Sequence, residues 1–149
     1  MKSLNFIRKT FVYRDIPSVG VICLLSIIKY HKGYEDPAYL LSACRTTNGI
    51  TQLSDLAKVA EAIGLSTTIG NSTVENLKKF PNPVILHIRN DWGEYDFVVC
   101  YGFNGKFFLV GVPNWGLMEF REIELDVLWE SRVILYLEPT DSFKKKFLF

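Results

Sequence analysis

Residues 17–31 read Pro17-Ser18-Val19-Gly20-Val21-Ile22-Cys23-Leu24-Leu25-Ser26-Ile27-Ile28-Lys29-Tyr30-His31. Pro17 and Ser18 stand just before a run of helical character, and Gly33 ends it. Ile22, Cys23, Ile27 and Tyr30, with the intervening leucines, leave almost no polar face. A helix that is apolar nearly all round belongs at the centre of a domain. The run from Val19 to Ile28 is interrupted by Gly20 and Ser26 and is far too short to span a bilayer.

Outward from this helix, the two flanks differ. Asp36 to Cys44 is predicted helical, with Asp36 as N-cap and Pro37 at the first helical position. Thr51 to Ile63 places Leu53, Leu56, Val59, Ala60 and Ile63 on one face, with an N-cap-like start and Gly64 as the stop. Val74 to Lys79 reads as a short helix. From Pro81 the character changes. PVILHI, GEYDFVVCYGF, KFFLVGV and RVILYLEP read as strands, and Asn104-Gly105 is a strong hairpin signal. Before the central helix, Phe6 to Tyr13 reads as extended or irregular. Helices first and an antiparallel sheet afterwards make an α+β fold with segregated layers.

The chain has 149 residues, which suits one domain, and 48% hydrophobic residues, enough for a core at this size. A net charge of +1 gives no broad basic field for nucleic acid. Cys23, Cys44 and Cys100 are odd in number and widely spaced, which is no disulfide framework. With no CxxC pair and only His31 and His87, there is no zinc pattern. A reducing, cytoplasmic setting is the simplest expectation. Residues 1–15 lack the apolar stretch and cleavage site of a signal peptide.

A long helix near the N-terminus followed by an antiparallel sheet is the layout of papain-like cysteine peptidases. The segment Tyr13 to Leu24 is similar to the opening motif of the C39 family, the double-glycine leader peptidases of bacteriocin exporters. That motif runs Gln, five residues, Cys, Gly, two residues, Cys, Leu. Other features follow in order. KYHKGY resembles the Tyr-Tyr-Gly that closes the family's first helix, and NGITQLSDLAKVAEAIGL its Gly-x-Ser to Gly-Leu stretch. PNPVILHI, YDFVVCYGF, GVPNWG and LYLEPT resemble its later strands and turns. The resemblance runs from Phe11 to Thr140.

Carried over position by position, the resemblance puts the nucleophilic Cys at Val19, the oxyanion-hole Gln at Tyr13, the general-base His at Asp96 and the orienting Asp at Val112. A valine has no lone pair with which to attack a carbonyl. Asp96 is anionic and would repel a thiolate, and Val112 cannot orient a base. No catalytic residue is therefore expected. Cys23 lies one turn along the helix and matches the family's second, non-catalytic Cys. Cys100 and His87 lie on neighbouring strands and read as core residues. His31 is expected to interact with the helix's C-terminal carbonyls, and Trp129 to pack in the core or at its rim. Asp96 has two readings of equal standing: a solvated carboxylate at a strand start, or a cleft residue for a basic or amide group of a peptide. The family's cleft would gather Tyr13, Trp92, Asp96 and Trp115 as peptide-binding candidates.

The resemblance implies a docking domain of a peptide-exporting ABC transporter. It would bind a leader peptide or unfolded secreted polypeptide and present it for export, at the cytoplasmic face of the bacterial inner membrane. Residues 1–140 would be the C39-like domain and 141–149 a linker toward a membrane domain. There Lys144 to Lys146, followed by Phe147-Leu148-Phe149, read as a basic flank of a membrane element. No Walker A motif occurs. No cofactor is expected in this domain; ATP would bind a separate nucleotide-binding domain, a further partner together with the membrane domain. Two other readings stand beside this one: a divergent peptidase using Cys23 or Cys100, and a structural or regulatory module that binds no peptide.

Overall fold

The computed structural model describes residues 1–89 and 95–146. Four helices open the chain: α1 (Leu4–Thr10), α2 (Val19–Tyr30), α3 (Pro37–Ala43) and α4 (Leu53–Ala62). Then follow β1 (Leu65–Asn71), α5 (Val74–Leu77), β2 (Val84–Arg89), β3 (Tyr95–Phe103), β4 (Phe108–Val112), β5 (Gly116–Phe120), α6 (Glu122–Leu128) and β6 (Val133–Pro139). All strand pairs are antiparallel, in the order β1-β6-β2-β3-β4-β5. The α+β class expected from the sequence is the one found.

The sheet separates two cores. On one face α2 packs across β3, and Ile7, Leu24, Ile27, Ile28, Leu56, Ile85, Val99 and Leu135 form the larger cluster. On the other face Leu77 of α5, Leu125 of α6 and Trp129 close over Leu86, Val98, Phe108 and Ile134. Ten of the twelve α2 residues are buried, as its nearly all-apolar circumference requires. Trp129 is fully buried and its indole N–H donates to the Val133 carbonyl at 2.9 Å, so its place is the core and not the rim.

Several expectations are corrected. Residues 6–13 are not all extended: α1 occupies Leu4–Thr10. Ser3 Oγ caps it by accepting from the Phe6 N–H, and Ile7 and Thr10 are buried. Thr51 does not cap α4; the N-cap is Gln52, with no side-chain cap bond. The His31 side chain does not engage the end of α2. Its Nε2 is buried without a partner, its ring packs edge-on against Tyr30 and Phe143, and Lys2 Nζ reaches the Tyr30 carbonyl instead, at 3.0 Å. Strands β1 and β5 and helix α6 had no sequence reading at all.

The predicted hairpin at Asn104-Gly105 forms. Gly105 has φ 97°, and Asn104 Oδ1 accepts from the N–H groups of Lys106 and Phe107. At the open flank of β1, Glu61 Oε1 accepts from the Thr67 N–H at 3.2 Å and the Thr67 hydroxyl at 2.7 Å.

Gly111 in β4 lies under the Phe11 ring, where an added Cβ would stand 2.5 Å from Phe11 Cε1. Gly111→Ala should therefore destabilise the fold by about 2 kcal/mol, the usual scale of overpacking, read by denaturant unfolding.

Burial, reinforced by the charges of Lys2 and Lys145, lowers the His31 pKa to about 4. The unfolded histidine titrates near 6.5, so between pH 6.5 and 4 the unfolded state binds more protons than the native one. Stability is complete above that window and lost as pH falls through it, by about 3 kcal/mol. Unfolding curves of His31→Gln should fall less steeply over the same window.

Candidate functional site

The first turn of α2 is where an enzyme of papain-like layout would hold a nucleophile. Here that turn is built from hydroxyl groups and an aliphatic side chain. Ser18 is the N-cap, and its Oγ accepts from the Val21 N–H at 3.2 Å. The same oxygen lies 2.7 Å from Thr51 Oγ1, which lies 2.5 Å from Thr46 Oγ1. Ser18 and Thr51 are 3% and 5% exposed, so their hydroxyls are structural and closed to a ligand, while Thr46, at the end of this chain of hydroxyls, is half-buried. Val19 follows as the first helical residue, half-buried. A Cβ on Gly20 would stand 3.1 Å from Leu56 and 3.4 Å from Thr51, which is how α4 approaches so near.

Tyr13 is held in the segment that leads into this turn. The Val12 N–H donates to Ser26 Oγ on α2 at 2.9 Å, and the Asn114 N–H donates to the Tyr13 carbonyl at 2.8 Å. The Tyr13 ring comes within 3.3 Å of where a Cβ on Gly116 would sit, and the Arg14 guanidinium lies 5.0 Å from the ring centre. The turn between β4 and β5 needs left-handed backbone at Asn114 (φ 70°) and Gly116 (φ 107°). It leaves Trp115 78% exposed. The structure therefore brings Tyr13 and Trp115 into neighbouring loops. Trp92 lies outside the described residues.

Asp96 is half-buried near the outer end of β3, opposite Ile88 of β2. Its Oδ1 accepts from the Phe97 N–H at 2.9 Å. Phe97, Val99 and Tyr101 belong to the α2 side of β3, whereas Val98 and Cys100 face the second core. Asp96 is in the second set by alternation, as is Val112, which packs against that second core. The carboxylate still reaches α2 electrostatically. It adds to the burial that raises the Cys23 thiol pKa, and it opposes the burial that lowers the His87 pKa.

The three thiols are free and buried. Burial pushes Cys100 up to about 12 and Cys44 up to about 11, and raises Cys23 well above its ordinary value. Cys100 pairs with Val84 while His87 pairs with Phe97. The odd spacing of their partners puts Cys100 and His87 on opposite faces of the sheet. They do not approach as a dyad.

A feature absent from the sequence reading is a groove of about 460 Å³ whose lining includes Arg8, Phe11, Tyr13, Leu109, Leu117 and Glu119. It runs from Tyr13 along α1 and over β4 and β5. Its signal was hidden because two of its walls, α1 and β5, were not recognised as regular elements. Among the described residues there is no group of three or more side chains suited to a metal ion, and no helix is long and apolar enough to cross a membrane.

A family model for the peptidase C39 family matches residues 9–142. Among solved structures, the chain is similar to a double glycine motif protease from an AMS/PCAT transporter, determined in complex with the leader peptide. The two share 23% identity over 85% of this chain and 87% of that one, with a TM-score of 0.73. The peptidase domain of Streptococcus ComA, a bi-functional ABC transporter involved in a quorum sensing pathway, matches at 18% identity, 85% and 94% coverage and a TM-score of 0.76. The N-terminal peptidase C39 like domain of the toxin secretion ATP-binding protein from Vibrio parahaemolyticus matches at 16% identity, 84% and 95% coverage and a TM-score of 0.63. At these identities the likeness is one of fold. No curated protein matches the chain. The family match takes in α2, the whole sheet and the turns between, and the chain belongs to the peptidase C39 family.

Proposed function

We propose that this chain is a catalytically inert C39 domain of a peptide-exporting ABC transporter, which binds a leader peptide or unfolded cargo and hands it to the transport machinery. The observation that carries the reading is Val19 at the first helical position of α2. The helix end that could stabilise a thiolate there presents an isopropyl group. Tyr13, Asp96 and Val112, at the other three positions matched to the family's machinery, supply no imidazole base and no carboxylate to orient one.

Binding without chemistry fits what remains. Tyr13 is 40% exposed and Trp115 more so, on adjoining loops. Tyr13 also lines the groove beside α1. Exposed aromatic groups beside a shallow groove of mixed apolar and charged lining suit an extended or helical peptide. Asp96, on the other face of β3 by alternation, is not among the residues lining that groove. Bacteriocin or related peptide export, a cytoplasmic site at the inner membrane, and membrane and ATP-binding domains as partners all belong to this reading. The AMS/PCAT protease determined with its leader peptide supports it by likeness of fold.

The reading is tested by titrating the protein with double-glycine leader peptides and following the mixtures by mass spectrometry. Saturable binding with no cleavage is expected, and cleavage at the double glycine would overturn it. Tyr13→Ala should weaken binding roughly five- to tenfold, the scale of an interface contact that matters, whereas Asp96→Ala should leave it unchanged.

The competing reading, a relocated cysteine nucleophile, meets the burial and raised pKa of all three thiols. Alkylation by iodoacetamide at pH 8 should be slow in the native protein and fast after unfolding, since the thiolate is the reacting form. One thiol modified rapidly in the native state would restore that reading.

A further inference from the structure

The charge of +1 conceals a segregated distribution. The N-terminal segment and the C-terminal segment, far apart in sequence, meet at the C-terminal end of α2. Lys2 Nζ donates to the Tyr30 carbonyl at 3.0 Å and lies 4.5 and 4.8 Å from the Phe6 and Tyr30 ring centres. The Lys146 N–H donates to the Lys32 carbonyl at 2.6 Å, and Phe143 fills the notch over Gly33, where a Cβ would stand 2.6 Å from its ring. Lys2, Lys32 and Lys145 are near enough that the other two lower the Lys2 pKa, after burial. Arg8 extends the cluster along α1, lining the same groove as Lys2.

Lys2, Arg8, Lys32 and Lys144 to Lys146 are six of the 17 basic residues. The other eleven are spread over a chain with 16 acidic ones. Glu35, which lines the same recess as Lys144 and Lys146, Glu119, which lines the groove with Lys2 and Arg8, and Asp141 are carboxylates beside the cluster. Among the described residues, none of Lys2, Lys144, Lys145 or Lys146 is in a salt bridge. Met1 (58% exposed) and Leu4 (44%) stand beside Lys2 in the groove lining, so apolar side chains lie next to the cations.

We propose that this basic end, with Met1 and Leu4, docks the folded domain on an anionic bilayer surface, the lysines meeting lipid phosphates. A cluster of lysines beside exposed apolar side chains is the combination that holds a protein at a lipid interface without spanning it. The basic end shares the groove beside α1 with Tyr13 of the proposed peptide site, but the lipid contact needs only the lysines and stands whether or not the domain binds a leader. Its orienting effect would hold the α2 C-terminus against the membrane and turn the Val19 end away from it.

The test is co-sedimentation of the 149-residue chain with vesicles of phosphatidylcholine alone and of phosphatidylcholine mixed with phosphatidylglycerol. Binding is expected to the mixed vesicles at low salt and to be lost on adding salt, since screening acts within about 10 Å. Each lysine contributes about fivefold to partitioning. Lys2→Glu combined with Lys32→Glu should therefore reduce binding at least about 25-fold. Lys145→Glu combined with Lys146→Glu leaves the Lys2 contact to α2 in place and should do the same while melting like the parent. Equal binding to pure phosphatidylcholine overturns the proposal. So does wild-type binding by the Lys2/Lys32 variant, which would mean that an unstructured tail suffices. A single-stranded oligonucleotide that strips the protein from the vesicles at equal phosphate concentration would show a general polyanion site and overturn it as well.

Discussion

Everything in this molecule is arranged around the need to cover α2. Ten of its twelve residues are buried, and no side of it is polar enough to face water. Each buried leucine or isoleucine contributes about 2 kcal/mol only if a partner surface closes over it. The sheet supplies one surface through β3, and α1, α3 and α4 supply the others. The polar backbone at the start of the helix must be satisfied inside that packing. Ser18 Oγ does this for the Val21 N–H, itself held by the Thr51 and Thr46 hydroxyls, and so the same constraint that places α2 also fixes the local chemistry of its first turn.

Sequence showed what depended on local signals. The apolar run of α2, the Asp36-Pro37 start of α3 and the Asn104-Gly105 turn carry their structure in adjacent residues. What was missed is tertiary in origin. Helix α1 has only seven residues, below the length at which a helix persists by propensity, and it forms because Ile7 and Thr10 bury against the core. Strand β1, with Ser66, Thr67, Thr68 and Gly70, is an edge strand held by β6, and its composition resembles a loop. Thr51 shows a different limit: a residue with the right side chain for an N-cap was recruited by a neighbouring helix instead.

The candidate site was legible by residue type but not by arrangement. Alignment of motifs pointed to Tyr13 and Trp115 as neighbours, and a backbone hydrogen bond from Asn114 to Tyr13 explains why they are. Nothing local could reveal that Cys100 and His87, close in the sheet, are separated by its thickness. That follows from register alone, which pairs them with Val84 and Phe97. The peptide groove was invisible because it lies between elements that are distant in sequence.

The contact of Glu61 with Thr67 has a meaning for how this protein coexists with copies of itself. An edge strand offers free amide groups to any passing chain, and sheets left so tend to extend into oligomers and fibres. One such amide on β1 is already occupied by the Glu61 carboxylate, which also holds the Thr67 hydroxyl. An arriving strand would have to displace that side chain and leave its charge without either donor. The helix that roofs the core thus also discourages the sheet from growing.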